Sequence, residues 1–311
     1  MSEVVQDWVA APQNTARSVL VTIFGDTIVP VTSSVWLAQL FQLTDTFGFT
    51  ARLVRTSLFR LAAEGWFTND RVGRQSRYSL TPLAIEESEQ ASTRIYQSPD
   101  PNWAGSWTVL FLNSPGVPSA VADQLSRYLR WHGFVTLARG VLASPTASVQ
   151  STKDLCRLVV PEVRVPLGSL DFAELEAIVA DGFFTQALGL DEMSTSYKRF
   201  IRFYEAIDPQ LEVETPDEAF ALRTMLVHDL RRIRLSGPDI PAALLPTDWP
   251  GSVASETAAR LYPRLSELAA PWLSQVLETT YPDSVAKRFS VTERQMRRGP
   301  SAAVVDIRRL G

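Results

Sequence analysis

Six arginines crowd the stretch Thr50–Leu80: Arg52, Arg55, Arg60, Arg71, Arg74 and Arg77. Only Glu64 and Asp70 oppose them, so this stretch is net +4 within a chain of formal net charge −4. A basic cluster on an acidic protein is the electrostatic footprint that phosphate contacts require. Other chemistry is poorly provided for. The two histidines, His132 and His228, are far apart in sequence, and Cys156 is the single cysteine. That excludes a cysteine-based zinc site and an intramolecular disulfide. No Gly-rich phosphate loop, GxSxG elbow or HExxH helix is present, and no acidic pair stands out as a carboxylate catalyst. The sequence therefore argues against an enzyme, a metal site or a cofactor.

The arginines need elements to aim them. Thr50 can cap a helix from Ala51 to Glu64 that contains no Gly or Pro, and Gly65 suits its left-handed stop. At 100° per residue, Val54, Leu58 and Leu61 share one face. Arg52, Arg55 and Thr56 take the opposite face, with Arg60 at its edge. The pattern then changes to period two, with Tyr78 and Leu80 pointing one way and Arg77 and Ser79 the other, after a turn at Val72-Gly73-Arg74. Upstream, Asn14–Phe24 reads as a helix ended by Gly25-Asp26. Val35–Leu43 reads as a second, capped by Ser33 or Ser34. Three helices followed by a two-stranded wing are the outline of a winged helix-turn-helix, with the third helix as reader. The same outline also serves protein-interaction modules.

A chain of 311 residues exceeds what one core holds, and 45% hydrophobic with 21% charged content is ordinary for a globular protein. No apolar run reaches the roughly 20 residues of a membrane helix. The N-terminus lacks the basic region of a signal peptide, so a cytoplasmic location is expected. A helix Pro82–Tyr96 leads from the wing, and Ser98–Asn102 is the clearest linker. Beyond it, Trp107–Leu112 reads as a buried strand and Ser119–His132 as a helix stopped by Gly133. Phe134–Ala138 and Gly140–Ala143 look extended, and Leu155–Val160 is a third apolar run. This alternation suggests a small ferredoxin-like sheet. Phe172–Phe184 is ambiguous between helix and strand.

From Asp191 the pattern is helical. Thr215-Pro216-Asp217-Glu218 is a capping box opening a helix to about Leu235, with apolar residues on more than one side. Such a helix should be enclosed, so Arg223, His228, Arg231, Arg232 and Arg234 need partners. These are acids, an interface or an anionic ligand. The expected division is 14–97 (winged helix-turn-helix), 102–184 (ferredoxin-like) and 185–282 (helical), with 283–311 a basic tail expected to be mobile.

One resemblance runs through these segments. Leu244–Gly251 (LLPTDWPG), followed by Leu261-Tyr262 on the next helix, resembles the PaaX family of bacterial transcriptional repressors, as does Leu226–Arg232 (LVHDLRR). VRTSLFRLAAEGW and GRQSRYSLT are similar to that family's winged helix, and SWTVLFL with WHGF to its middle. The family usually has Asp-Pro before its Leu-Pro; here the stretch is Gly237-Pro238-Asp239-Ile240-Pro241. The resemblance implies an α+β protein, with a winged helix-turn-helix, a Cas2-like ferredoxin fold and a helical C-terminal domain. It implies a homodimer on double-stranded operator DNA, repressing phenylacetate-type catabolic genes and released by phenylacetyl-CoA. Nuclease chemistry does not carry over, because Asn113 follows Leu112 where an Asp would be needed.

The DNA-binding expectation falls on Arg52, Arg55, Thr56, Arg60, Arg71, Arg74 and Arg77. For an aryl acyl-CoA effector, an anion with an apolar end, the candidates are Arg223, His228, Arg231 and Arg232 with Tyr197 and Trp249 as lining. The rivals are a regulator of another operon responding to a different acid or thioester, and a scaffold that binds no DNA.

Overall fold

The computed structural model describes residues 3–96, 103–171, 183–207 and 213–289. It is an α+β structure with a helix-and-strand region, a middle antiparallel sheet and a helical C-terminal region. Contacts divide it into two compact units. The first draws on Met1–Ser98, Phe200–Arg232 and Ser252–Gly311, the second on Pro99–Arg199 and Ile233–Gly251. No helix among the described residues is long and apolar enough to cross a membrane.

The first unit begins with α1 (Glu3–Ala10), which buries Val5 and Trp8. Thr15 caps α2 (Ala16–Ile23), its side chain accepting from the Ser18 N–H. Gly25-Asp26 does not stop this helix as the sequence suggests. The chain widens into a π turn, Phe24–Ile28, closed by Val29 N–H donating to the Phe24 carbonyl at 2.9 Å. The extra residue rotates Asp26 inward, where it is 2% exposed. Ser34–Trp36 is a strand, β1, instead of a helix start, because it finds an edge to pair with: Val35 lies opposite Tyr78 and Trp36 opposite Arg77. The helix follows as α3 (Leu37–Asp45), with the Gln39 side chain accepting from the Trp36 N–H.

Next come α4 (Ala51–Ala63), β2 (Phe67–Val72), β3 (Gln75–Leu80) and α5 (Pro82–Tyr96). The sheet order is β1-β3-β2. Val19, Leu20, Ile23, Leu40, Leu43, Val54, Leu58 and Leu61 form its core, none more than 1% exposed.

In the second unit, β4 (Ser106–Phe111), α6 (Ser119–Trp131), β5 (Val135–Ala138), β6 (Val141–Ser144), α7 (Val149–Val159) and β7 (Leu167–Asp171) alternate in that order. All pairs are antiparallel, in the order β5-β6-β4-β7. Leu155–Val160 is the end of α7, where Cys156 packs among Leu110, Leu125, Leu129 and Leu142. Burial pushes the Cys156 thiol pKa up, so it stays a protonated apolar side chain. Of the ambiguous stretch, 172–182 lies outside the described residues, and Phe183–Ala187 is a short helix, α8.

The remaining helices are α9 (Leu190–Ile207), α10 (Pro216–Leu235), α11 (Pro250–Val276) and α12 (Asp283–Ala286). Every residue of α10 from Ala219 to His228 is buried, as its all-round apolar pattern requires. The tail expected to be loose from Asp283 is in fact packed as far as Phe289. Val285 is 2% and Phe289 1% exposed, because both are large apolar groups with a core to enter. Residues 290–311 of that tail lie outside the described residues.

Candidate nucleic-acid interface

Thr50 caps α4 through its side chain, which accepts from the Leu53 N–H at 3.3 Å. Val54, Ser57, Leu58 and Leu61 bury one side of the helix. Each fully buried aliphatic chain there is worth roughly 1.5–3 kcal/mol, enough to fix which side faces out. Arg52, Arg55, Thr56 and Arg60 are all exposed on the other side. Their spacing leaves no alternative once the buried stripe is set.

These groups are partly pre-positioned. The Arg55 guanidinium lies 4.8 Å from the centre of the Phe41 ring on α3, and Thr56 donates to the Arg52 carbonyl at 2.9 Å. Tyr78 lies beneath. Its pKa is raised by burial, and Arg55 opposes part of that rise. Glu64, the acid at the end of α4, is taken up by Arg17. The stretch Ala51–Ala63 contains no acid at all.

The hairpin divides the other three arginines. Arg71 and Arg74 are exposed near its tip, where Gly73 takes φ +64° to make the turn. Arg77 is on the central strand, half-buried, with its guanidinium 5.6 Å from the Trp36 ring centre. So Arg71 and Arg74 are free to meet a ligand, while Arg77 props β1 against the sheet. Sequence spacing also missed one member of the exposed face of α4: Phe59, which is 75% exposed. Its i+7 relation to Arg52 was the available signal.

The expected effector residues separate. Arg223 and His228 are both 0% exposed inside the first unit. Asp26 meets Arg223 at 3.3 Å, while Thr27 and Tyr281 accept from the same guanidinium at 2.6 and 3.0 Å. Burial alone would lower the Arg223 pKa; Tyr281 and Asp26 outweigh it, so Arg223 stays charged. Asp26 also accepts from Tyr96 at 2.6 Å, Tyr262 at 2.7 Å and Arg288 at 3.3 Å. Of the partners open to the enclosed helix, Arg223 has taken an acid.

His228 is enclosed likewise, 3.0 Å from Thr22 and edge-on to Trp8. Burial first, then Arg231 and Arg232, hold its pKa down to about 3, so it is neutral at pH 7. Asp229 accepts from Trp8 at 2.9 Å and Tyr204 at 2.8 Å. Burial pushes its pKa up to about 6 against those two bonds and Arg232.

Arg231 is half-buried and Arg232 exposed. Burial, then Arg232, lower the Arg231 pKa to about 10. Tyr197 and Trp249 belong to the second unit, where their rings meet edge-to-face at 5.7 Å. Gly251 is required there, since a Cβ would fall 2.4 Å from the Trp249 indole nitrogen. The second unit also holds a cavity of about 600 Å³, lined by Arg130, Phe134, Thr136, Leu188 and Pro238 among others. None of the six expected effector residues lines it. Among the described residues, no cluster of His, Cys, Asp or Glu could hold a metal.

A family model described as PaaX-like protein matches residues 15–83, and one described as PaaX-like protein C-terminal domain matches residues 188–275. The chain is 31% identical over 287 residues to the transcriptional repressor PaaX of Escherichia coli, covering 89% of this chain and 88% of that one. A solved structure, the uncharacterized protein Rv0674 from Mycobacterium tuberculosis, is similar over 82% of this chain and 97% of that chain. Its identity is 21% and its TM-score 0.47.

Proposed function

The chain belongs to the PaaX-like family, a family of transcriptional repressors and not of enzymes, and on that premise we propose how it works. It acts as a cytoplasmic homodimer on double-stranded operator DNA. It represses aromatic, phenylacetate-type catabolic genes and leaves its operator when an aryl acyl-CoA such as phenylacetyl-CoA binds.

One observation carries the DNA-binding part: an acid-free helix, α4, exposes Arg52, Arg55 and Thr56 opposite a stripe that is fully buried. The order α2, β1, α3, α4 and the β2–β3 hairpin supports reading this region as a winged helix-turn-helix. On that reading α4 enters the major groove. Its arginines bond guanine edges, while Arg71 and Arg74 hold backbone phosphate beside it. The βαββαβ order with its β5-β6-β4-β7 sheet supports a ferredoxin-like middle domain.

Release follows if the effector binds the non-DNA-binding arrangement more tightly. With Arg223 and His228 committed internally, the remaining basic groups of the expected set are Arg231 and Arg232, and the aromatic ones Tyr197 and Trp249. A gel shift on the DNA upstream of the protein's own gene, with and without phenylacetyl-CoA and other acyl-CoAs, tests the reading. A retarded band abolished by one aryl thioester is expected. No retarded band would refute DNA binding, and a band indifferent to every thioester would refute the effector.

A further inference from the structure

Phe59 contributes little to the core of the described residues. At 75% exposed it is the most exposed large apolar side chain among the described residues. A single exposed apolar group is common and by itself signifies little. The position of this one is what matters. It follows Arg52 by seven residues, Arg55 by four and Thr56 by three, which stacks all four on one line of α4. That line lies opposite Val54, Ser57, Leu58 and Leu61.

The surroundings select the occupant. Between Ala51 and Ala63 there are three arginines and no acid, and the nearest acid, Glu64, is held by Arg17. A second copy of this face would bring arginines against arginines, and a basic partner would be repelled likewise. The complementary surface is a polyanion. Duplex RNA hides its base edges in a deep, narrow groove that side chains cannot read, whereas the major groove of DNA admits a helix. In that groove the chief apolar feature is the C5-methyl group of thymine.

We propose that Phe59 is a specificity-determining residue that packs on a thymine methyl group, flanked by the arginines that read guanine. This rests on the DNA-binding reading above. It adds a preference for thymine at a fixed offset from the arginine-read bases, which the charged residues alone cannot supply.

The test uses the full-length protein and duplexes it selects from a random DNA pool. In the selected site each thymine is replaced singly by uracil, which removes only the methyl group. Wild-type protein should lose about fourfold in affinity at one thymine per half-site, the worth of one buried methyl-sized group. Phe59→Ala should bind the parent duplex about that much more weakly, or worse, and be indifferent to uracil at that same position. Phe59→Leu, still apolar, should recover the sensitivity.

Because the side chain is exposed, the melting temperature should be unchanged in both variants. Unchanged affinity of Phe59→Ala, or undiminished uracil sensitivity at every thymine, overturns the proposal while leaving DNA binding in place. A change in oligomeric state of Phe59→Ala overturns it in favour of a self-association contact. If the wild-type protein selects no sequence, the DNA-binding reading itself falls, and this inference with it.

Discussion

At the scale of single residues, two neighbours on α10 have opposite relations to pH. His228 is held neutral, its pKa falling from 6.5 to about 3 on folding. The unfolded chain binds that proton more readily, so the stability His228 contributes is present above pH 6.5 and lost as pH falls toward 3. Asp229 is the reverse. Its pKa rises from 3.8 to about 6, so the folded state holds the proton better. Its stabilisation is present below about pH 4 and lost as pH rises through 6, amounting to roughly 3 kcal/mol. Between pH 4 and 6 the two slopes oppose each other.

Asp229→Asn keeps an acceptor for Trp8 and Tyr204 but removes the titration. The variant should therefore melt higher than wild type at pH 7.5. It should lose stability more steeply on acidification, at about 1.4 kcal/mol per pH unit below 6.5. Thermal melts from pH 4 to 8 check this, and parallel curves would show that Asp229 titrates normally. The same scale holds the proposed base reader. Arg55→Ala should cost roughly 1–3 kcal/mol of specific DNA affinity with little change in melting, since Arg55 is exposed and its guanidinium lies over the Phe41 ring outside the buried stripe. Wild-type affinity by gel shift would remove α4 as the reading helix.

At the scale of elements, the hairpin separates the proposed phosphate contacts, Arg71 and Arg74, from the half-buried Arg77. Arg71→Ala with Arg74→Ala should weaken specific and non-specific binding alike and flatten the salt dependence by about two units of log–log slope for each subunit bound. Arg77→Ala should instead loosen β1, because its stacking on Trp36 is lost. A salt titration of the double variant with an unchanged slope would refute the wing assignment.

Elements also show what could be read in advance. α4, its cap Thr50, the β2–β3 turn and α5 follow from periodicity and capping residues, which act within one turn of chain. β1 did not, since three residues carry too little pattern and depend on Tyr78 and Arg77 far along the chain. The π turn failed for a related reason. Gly25-Asp26 is a stop signal locally, and only distant partners, Arg223 and Arg288, make it favourable to continue with Asp26 inside. Arg223 and Arg231 look alike in sequence; full burial and the partners Asp26, Thr27 and Tyr281 set Arg223 apart.

At the scale of the molecule, that carboxylate ties the chain's beginning to its later helices. Within the first unit, Asp26 joins the turn after α2 to Tyr96 of α5, Arg223 of α10, Tyr262 of α11 and Arg288 beyond α12. The Arg288 guanidinium also lies 4.3 Å from the Tyr96 ring centre, and Phe289 packs on Tyr96 and Tyr262 at 4.8 and 5.0 Å. Charged groups this enclosed hold together only while each keeps its partner. Removing one member of a buried pair typically costs about 3–5 kcal/mol. Asp26→Ala should therefore be severely destabilising, since Arg223 would remain fully buried without its acid.

Truncation after Pro282 tests the other end of the network. It removes Val285 and Phe289, and deletion of a buried Phe side chain alone costs about 3–5 kcal/mol. It also leaves Asp26 with one cation where it had two. The truncated chain should unfold at a markedly lower urea concentration than the full chain, and Phe289→Ala should reproduce most of that loss. Coincident urea curves for the full and truncated chains would mean that residues 283–289 add nothing to the core they enter.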